Sequence, residues 1–277
     1  MSSLRVPDWL LYAGALAALV IVCEWRRENV DAPPAPPPPD AEEGAVLGPS
    51  TPFDPLTVVS APSGPLQPIA GTAFAVGQQG KWITARHVVQ NCKKAAIVLG
   101  GGRAIRADVT ALPKGDVAIL TSEGGPPALP MAIGRPFHIG QRAFAAGYPQ
   151  GHAGEIAVRL IGNEILRVKG RERSDTPILV WAEIGRTHGL NGTLAGLSGA
   201  PMLDEQGRVV GVVLGERPRR GRIFTTAPES LGPALKDITP GPDLAQGLPI
   251  TTENYGRMAD NLRRDLRVAQ VMCLPGS

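Results

Sequence analysis

One serine of this chain lies in a sequence suited to nucleophilic chemistry. Ser198 stands in the run GLSGAP, which spans residues 196–201. A nucleophilic serine must project from a tight turn whose backbone amides point at one spot, and flanking glycines permit that geometry. The run therefore favours a catalytic serine, although the same letters are also typical of an ordinary glycine turn.

A histidine and an aspartate upstream have settings that would complement this serine. His87 follows the strand-like run KWITA in the segment GTAFAVGQQGKWITARHVVQNC, and Asp116 opens the apolar run of PKGDVAIL. A histidine can take a proton from a hydroxyl when a carboxylate orients its ring. Alone, each residue is more often part of a turn, but the order His, Asp, Ser within one stretch of β-type sequence indicates hydrolysis through a serine nucleophile.

The elements that must position these residues are predicted to be short strands. The 34 glycines, 28 prolines and 4% aromatic content favour strands joined by turns over a helical bundle. The expected strands are GTAFAV, KWITA, AAIVL, RAIRADVTAL, VAILTS, RAFAAG, EIAVRLIG, ILVWAEI, GRVVGVVLG and RIFTTA. Two helices are expected later, in PESLGPALKDI and in ENYGRMADNLRRDL, whose apolar residues at helical spacing are Tyr255, Met258, Leu262 and Leu266.

The three segments that carry His87, Asp116 and Ser198 resemble the corresponding segments of trypsin-like serine proteases. The resemblance covers roughly residues 69–235. This part of the chain is similar to compact bacterial members of the HtrA-like or glutamyl-endopeptidase-like kind. The resemblance implies an all-β chymotrypsin-like fold of two six-stranded antiparallel barrels. HtrA proteins usually add PDZ domains of about 80 residues or more, and the segment 240–277 is too short for one.

The resemblance also implies a role for each residue. Ser198 would attack the peptide carbonyl, His87 would act as general base, and Asp116 would orient the imidazole. The backbone amides of Gly196 and Ser198 would form the oxyanion hole. The implied reaction is the hydrolysis of a protein or peptide substrate by a serine endopeptidase, and it would require no cofactor.

Two departures from trypsin matter. Leu197 stands where trypsin has the aspartate that pairs with a new N-terminus, so activation by that ion pair is excluded. Leu214 is the best match for the serine that supports the catalytic aspartate in trypsin, so we expect Asp116 to take hydrogen bonds from backbone amides instead.

Two other functions share these residues. A protease-like binding or scaffolding module would keep the triad but be catalytically silent. An esterase would also match GLSGA as a GxSxG motif, but that fold places its histidine last in the chain, whereas His87 precedes Ser198. The other histidines, His138, His152 and His188, lack the strand-then-histidine setting and are expected to be surface residues.

Alignment with trypsin suggests which residues bind the substrate side chain. Gly192 stands six residues before Ser198, at the position of the floor of the specificity pocket. Val213, Leu214 and Gly215 are expected to line one wall, and a small or medium apolar side chain would fit.

The three cysteines have no metal-ligand spacing, so no metal site is predicted. Cys23 lies in the apolar N-terminal run, which leaves Cys92 and Cys273 as possible disulfide partners in the rest of the chain. The sequence leaves open whether these two are bridged or remain buried thiols.

The N-terminal run WLLYAGALAALVIVC is uncharged and indicates a membrane anchor over residues 9–25. A cleaved signal peptide is the competing interpretation, since the run is short, and a buried helix is a further one. A lipoprotein signal at Cys23 is weaker still because Val22 is large. The flanking charges nearly cancel and leave the orientation open. A single-pass protein with an extracytoplasmic, periplasmic domain is expected.

The expected organisation is a tail (1–8), the anchor (9–25), a Pro-rich linker (26–68), the protease domain (69–239) and a C-terminal extension (240–277) with a helix and a possible strand. The linker composition favours a stiff, non-packing spacer. With a net charge of +3 spread over 28 basic and 25 acidic residues, the chain lacks the concentrated positive charge typical of nucleic-acid binding.

Overall fold

The computed structural model describes residues 44–60, 69–77, 80–90, 92–112, 115–132, 134–169, 175–217, 220–235 and 249–275. The strands in these ranges are β1 (Leu56–Ser60), β2 (Ile69–Ala75), β3 (Lys81–Ala85), β4 (Cys92–Gly100), β5 (Arg103–Ala111), β6 (Val117–Ser122), β7 (Arg142–Gly147), β8 (Gly154–Lys169), β9 (Asp175–Arg186), β10 (Pro201–Leu203), β11 (Val209–Arg217), β12 (Arg222–Thr226) and β13 (Val268–Pro275). The helices are α1 (Arg86–Val89), α2 (Pro228–Leu235) and α3 (Tyr255–Arg264), and a short 3₁₀ turn spans Pro149–Gly151.

These strands form two antiparallel barrels, as expected. The first closes in the order β13-β2-β3-β6-β5-β4. The second closes through β8-β7-β10-β11-β12-β9, because β8 also pairs with β9. The all-β, two-barrel prediction is therefore confirmed.

Each barrel has a buried tryptophan whose indole nitrogen has a hydrogen-bond partner. In the first barrel Trp82 donates to Ser122 Oγ at 2.9 Å, and in the second Trp181 donates to Thr225 Oγ1 at 2.9 Å. Both side chains are almost fully buried among aliphatic residues. Bonding the N–H removes the cost of burying a polar atom, so the ring adds its full apolar area to the core.

The structure differs from the expectation at the end of the predicted linker. Within residues 44–60, β1 pairs in parallel with the distal half of β8. Thr57 is buried, and the Leu47 amide donates to Phe137 O at 2.7 Å. The β-branched run TVV can pair with β8 because that strand is 16 residues long and extends past the barrel. The surrounding proline-rich composition hid this strand.

The C-terminal segment is part of the first barrel. Helix α3 packs Leu262 into the core, and Leu266, which was placed on the same helical stripe, lies beyond the helix end with φ 57°. After it, β13 pairs with both β2 and β4 and closes the barrel. A disulfide joins Cys92 of β4 to Cys273 of β13, with Cα atoms 5.2 Å apart.

No helix among the described residues is long and apolar enough to cross a bilayer. The anchor expected at residues 9–25 lies outside those residues.

Candidate active site

His87 is presented by a short helical turn at the end of a barrel strand. β3 ends at Ala85, and α1 begins at the next residue. Val88 and Val89 point into the core of the first barrel, which fixes the turn. The imidazole lies on the opposite side with 30% of its side chain exposed, so its position is rigid while its ring can reach a substrate.

Asp116 contacts His87 in two ways. Its Oδ2 lies 2.6 Å from His87 Nδ1, and its Oδ1 accepts a hydrogen bond from the His87 amide at 2.9 Å. In addition, the Asp116 carbonyl accepts from the Arg86 amide at 3.0 Å. A carboxylate requires a proton on the Nδ1 that faces it, which leaves Nε2 as the acceptor of the neutral ring. The backbone amide bond is the kind of support expected for Asp116.

The loop that carries Ser198 requires glycine at two positions. Gly196 has φ 98° and Gly199 has φ 89°, in the region that favours glycine. A Cβ at Gly199 would lie 2.0 Å from Thr72 O and 2.3 Å from Thr84 Oγ1. The loop backbone therefore packs directly against β2 and β3, the strands that lead to His87.

The loop is anchored on both sides of its serine. Leu197 is 1% exposed and packs in the core of the second barrel. The Ser198 carbonyl accepts from the Thr72 amide of the first barrel at 2.9 Å. Ser198 is thus held at the seam between the two barrels.

The hydroxyl of Ser198 is not bonded to the imidazole. It donates to the carbonyl of Leu214 at 3.3 Å. The histidine turn and the serine loop are nevertheless close, because both pack against Gly71: a Cβ at that glycine would lie 2.6 Å from Val88 Cγ1 and 3.1 Å from Ser198 O. The structure thus joins His87 to Asp116 and places Ser198 on the facing loop, with its hydroxyl turned to another acceptor.

The backbone amides of Gly196 and Ser198 donate to no protein acceptor among the described residues. The amide of Leu197, between them, is used in a turn and donates to Leu194 O at 2.9 Å. Two free donors that flank a serine hydroxyl can stabilise negative charge on a bound oxygen.

A cavity of about 280 Å³ opens beside Ser198. Val213 and Gly215 line it, as expected, whereas Leu214 contributes its carbonyl to Ser198 and Gly192 is not among the lining residues. The other lining residues are Thr193, Leu194, Ala195, Leu197, Glu216 and Ile223.

Glu216 was not foreseen in this cavity. Its Oε1 accepts from Thr193 Oγ1 and from the Leu194 amide, both at 2.5 Å, so it links the β11 wall to the opposite loop. Strict alternation from Val213 and Gly215 would place Glu216 on the opposite face of β11, but the register shifts between Val213 and Gly215, so the sequence carries no signal for it. Its partners on a distant loop have no sequence signal.

The other histidines lie away from this arrangement. His138 Nδ1 is 3.1 Å from Gly44 O, and a bridge pairs its backbone with Val46. His152 and His188 are exposed. His152 and His188 agree with the expected surface position, whereas His138 is half-buried; its hydrogen bond to Gly44 joins neither Ser198 nor Asp116.

Comparison with known sequences supports the same assignment. The family model described as a trypsin-like peptidase domain matches residues 71–212, which is more than half of the chain. The chain belongs to the trypsin-like peptidase family. The resemblance to this family that the three segments indicated is confirmed.

Two curated relatives of this trypsin-like domain are bacterial. An uncharacterized protein, y4bJ, from Sinorhizobium fredii is 24% identical over 189 residues, which is 67% of this chain and 28% of that protein. A probable periplasmic serine endoprotease, DegP-like, from Chlamydia trachomatis is 30% identical over 146 residues, which is 52% of this chain and 28% of that protein. The chain therefore spans only about a quarter of the length of either relative.

A solved structure gives the fold alone. The active form of the Rv3671c protease from M. tuberculosis is 22% identical, with a TM-score of 0.50, and the match covers 75% of this chain and all of that one. At this identity the likeness extends to the two-barrel architecture of the trypsin-like domain and not to its substrates.

Proposed function

We propose that this chain cleaves peptide bonds through a serine acyl-enzyme, with Ser198 as nucleophile, His87 as general base and Asp116 as the group that orients the imidazole. The observation that carries the proposal is the pair of contacts between Asp116 and His87, with 2.6 Å to the ring and 2.9 Å to the amide. Such a pair presents Nε2 as a base at the barrel seam, opposite the loop of Ser198.

The reaction begins with a rotation of the Ser198 side chain. Rotation about its Cα–Cβ bond replaces the 3.3 Å bond to Leu214 O with one to His87 Nε2. Side-chain hydroxyls change rotamer readily, and catalytic hydrogen bonds are often loose before substrate binds. Ser198 Oγ then bonds to the substrate carbonyl carbon while its proton passes to Nε2, and the imidazolium returns that proton to the leaving amine. Water then gives a proton to His87 Nε2 and attacks the acyl carbon; the bond from that carbon to Ser198 Oγ breaks, and the imidazolium returns the proton to Oγ.

Negative charge that develops on the carbonyl oxygen is stabilised by the amides of Gly196 and Ser198. These are the two donors of the loop that no protein acceptor in the described part of the chain occupies. The loss of one such donor typically costs about 3 kcal/mol of transition-state stabilisation.

The substrate is a protein or peptide whose side chain before the cleaved bond enters the cavity of about 280 Å³. The lining is mainly apolar, with Leu194, Val213 and Ile223, which supports a small or medium apolar side chain. Val213 still bonds to Gly199 and Ala200 of the serine loop. Beyond Val213, β11 pairs with β12 on one edge, and the pairings of the described strands leave its other edge open. An extended peptide can add to such an edge through main-chain hydrogen bonds.

The domain is proposed to act outside the cytoplasm, held to the membrane by residues 9–25. The support is the uncharged N-terminal run and the periplasmic description of the DegP-like relatives. Fractionation of cells that express the full chain tests this: the protein should remain in the membrane pellet after alkaline washing and be accessible to added protease only from the periplasmic side.

A catalytically silent module is the second candidate, and one observation favours it. The Ser198 hydroxyl bonds to Leu214 O and not to His87. If that contact persists with substrate bound, the serine keeps its proton and remains a poor nucleophile.

A fluorophosphonate probe, which reacts with activated serines, separates these candidates. The full chain should be labelled, Ser198→Ala should not, and His87→Ala should be labelled at least about 100-fold more slowly because general-base catalysis is lost. Asp116→Asn should be slowed as well, since an amide does not hold the required tautomer. Absence of label on the wild-type chain would reject the protease proposal and favour the silent module.

A further inference from the structure

Gln150, in the turn between β7 and β8, makes three hydrogen bonds to one loop. Its amide donates to Ala195 O at 2.5 Å, and its side-chain Nε2 donates to Asn191 O and to Thr193 O, both at 2.7 Å. All three acceptors are carbonyls of residues 191–195, the segment that leads into GLSGAP.

The backbone of Gln150 adopts an uncommon conformation to make these bonds. Its φ is 54°, in the left-handed region that residues other than glycine seldom adopt. Such a conformation persists where surrounding contacts determine it and often occurs at functional sites. Here the main-chain amide and the side chain are both directed to the same loop, which is an arrangement that the turn alone does not require.

The bond to Ala195 O fixes the direction of the next amide. A peptide unit is planar and trans, so its C=O and N–H point in opposite directions. With the Ala195 carbonyl directed to Gln150, the N–H of Gly196 must point away from the β7–β8 turn. If this peptide flipped, the bond would be lost and the Gly196 donor would turn away from the oxyanion position.

The far side of Gly196 is held as well. Its carbonyl accepts from Thr72 Oγ1 at 2.8 Å, and the same hydroxyl oxygen accepts from the Tyr148 amide at 3.1 Å. A Cβ at Gly196 would lie 2.4 Å from Tyr148 O and 3.3 Å from the Gln150 amide nitrogen. Gly196 therefore packs tightly against this turn, and the orientation of its amide depends on the position of the turn.

We propose that Gln150 is a positioning residue for the oxyanion hole. It holds the Ala195–Gly196 peptide so that the Gly196 N–H is directed to the substrate oxygen. This inference rests on the proposed protease function and assigns to Gln150 no contact with the reacting atoms. The main-chain amide of Gln150 sets the orientation of the Ala195–Gly196 peptide. Its side chain holds Asn191 and Thr193, so that Ala195 O stays within hydrogen-bonding distance of that amide.

Two variants at this position separate the backbone from the side chain. Gln150→Gly tolerates the left-handed backbone and keeps the main-chain donor but loses both side-chain bonds. Gln150→Glu keeps the size and replaces the donor amide with an acceptor that repels two carbonyls. We expect kcat/KM on a peptide amide substrate to fall about 10-fold in the glycine variant and about 100-fold in the glutamate variant, mostly in kcat, because the oxyanion bonds form in the transition state.

A pair of inhibitors gives a readout that a purely structural role would not change. A peptide aldehyde bonds covalently to Ser198 and places an oxyanion in the hole, whereas the matching peptide alcohol binds without one. The aldehyde should weaken in proportion to the loss of kcat/KM while the alcohol stays within about twofold. A residue that only stabilises the turn would lower the thermal unfolding midpoint and leave this ratio at its wild-type value.

The outcomes are distinct. The glycine variant has no folding penalty from the left-handed backbone. Wild-type kcat/KM and an unchanged aldehyde-to-alcohol ratio in this variant overturn the positioning role of the Gln150 side chain, even if the glutamate variant does not fold. If the wild-type chain itself fails to react with the fluorophosphonate at Ser198, the protease proposal falls and the positioning role falls with it. Labelled wild-type enzyme with unaffected variants rejects the role of Gln150 alone.

Discussion

The two halves of the candidate site are positioned by different means. His87 follows β3 and Asp116 precedes β6, two strands that pair in the first barrel, and the two residues bond directly to each other. Ser198 lies on an irregular loop whose geometry is set by residues from outside the loop, among them Thr72 and Gln150. The comparison shows that the base is set by regular local structure, whereas the nucleophile and its oxyanion amides depend on packing between distant segments.

Breaking the contact between the halves should have the largest effect. In Gly199→Ala, the added methyl would meet Thr72 O, and the residue would be held at φ 89°. We expect a loss of about 4 kcal/mol in the free energy of unfolding, since overlap with backbone cannot be relieved by a side-chain movement.

The control is Gly162→Ala in β8, where an added Cβ would meet nothing within 4 Å. Urea denaturation of both variants measures the difference, and the control should stay within about 0.5 kcal/mol of wild type. Equal stability of the two variants would mean that the loop is not packed against β2 and β3 as described.

Arg263 supports the nucleophile half from the C-terminal helix. Its Nη1 donates to the carbonyl of Gly154 at 3.1 Å, and its Nη2 donates to the carboxylates of Glu155 at 2.8 Å and Asp260 at 2.7 Å. Its Nη1 also lies 3.5 Å from Gly147 O, at the start of the turn that holds the serine loop. Burial raises the pKa of the Tyr148 phenol in that turn, and the charge of Arg263 acts in the opposite direction.

Removing this arginine should destabilise the chain by about 3 kcal/mol, because Arg263→Met leaves the buried carboxylate of Glu155 without its partner. The double variant with Glu155→Gln should recover part of that loss. Chemical denaturation of the two single variants and the double variant gives the coupling energy. A coupling near zero would contradict the buried ion pair.

The disulfide tests the histidine half. Cys92 lies close to the His87 turn, with its Sγ 3.8 Å from Val88 O, and its bridge to Cys273 joins two strands of a closed barrel. Loop-entropy arguments, which are model-dependent, give such a bridge about 2 to 4 kcal/mol. We expect the thermal unfolding midpoint to fall on reduction and in Cys92→Ser/Cys273→Ser alike.

Cys23→Ser is the matched control, because it removes the remaining cysteine and should leave the response to reduction unchanged. A midpoint that does not respond to reductant in the wild-type chain would show that the bridge does not stabilise the first barrel.

The same contrast explains what could be predicted from sequence. The strand runs KWITA, VAILTS and RAFAAG coincide with β3, β6 and β7, because each is a short apolar run that begins directly after turn residues. The His87–Asp116 pair followed from those local settings. The parallel strand β1 was not predicted, because its partner in β8 is more than 100 residues away and the prolines around it are typical of a linker.

The contacts of the serine loop likewise could not be predicted from the sequence. GLSGAP indicates the loop and its glycines, but nothing in the sequence links Gln150 to Ala195 or Glu216 to Thr193. Such bonds depend on how two loops approach each other after both barrels have formed. Gly192 was assigned to the pocket by counting back from Ser198 along the serine loop, and it is absent from the cavity lining. Val213 and Gly215 were assigned from a strand and are present in the lining.

Glu216 offers the smallest and most specific test of the serine half. Its bonds to Thr193 and Leu194 cross from one wall of the cavity to the other. In Glu216→Ala this link is lost and the cavity widens. The ratio of kcat/KM for a substrate with leucine before the cleaved bond to kcat/KM for one with alanine should then rise about 10-fold. Burying one or two more methylene groups of the substrate in an apolar pocket is worth roughly that much. Glu216→Gln keeps the length and an acceptor oxygen and should change the ratio less than about threefold. If the glutamine variant shifts the ratio as much as the alanine variant, the charge of Glu216 controls the side-chain preference and the link between the walls does not.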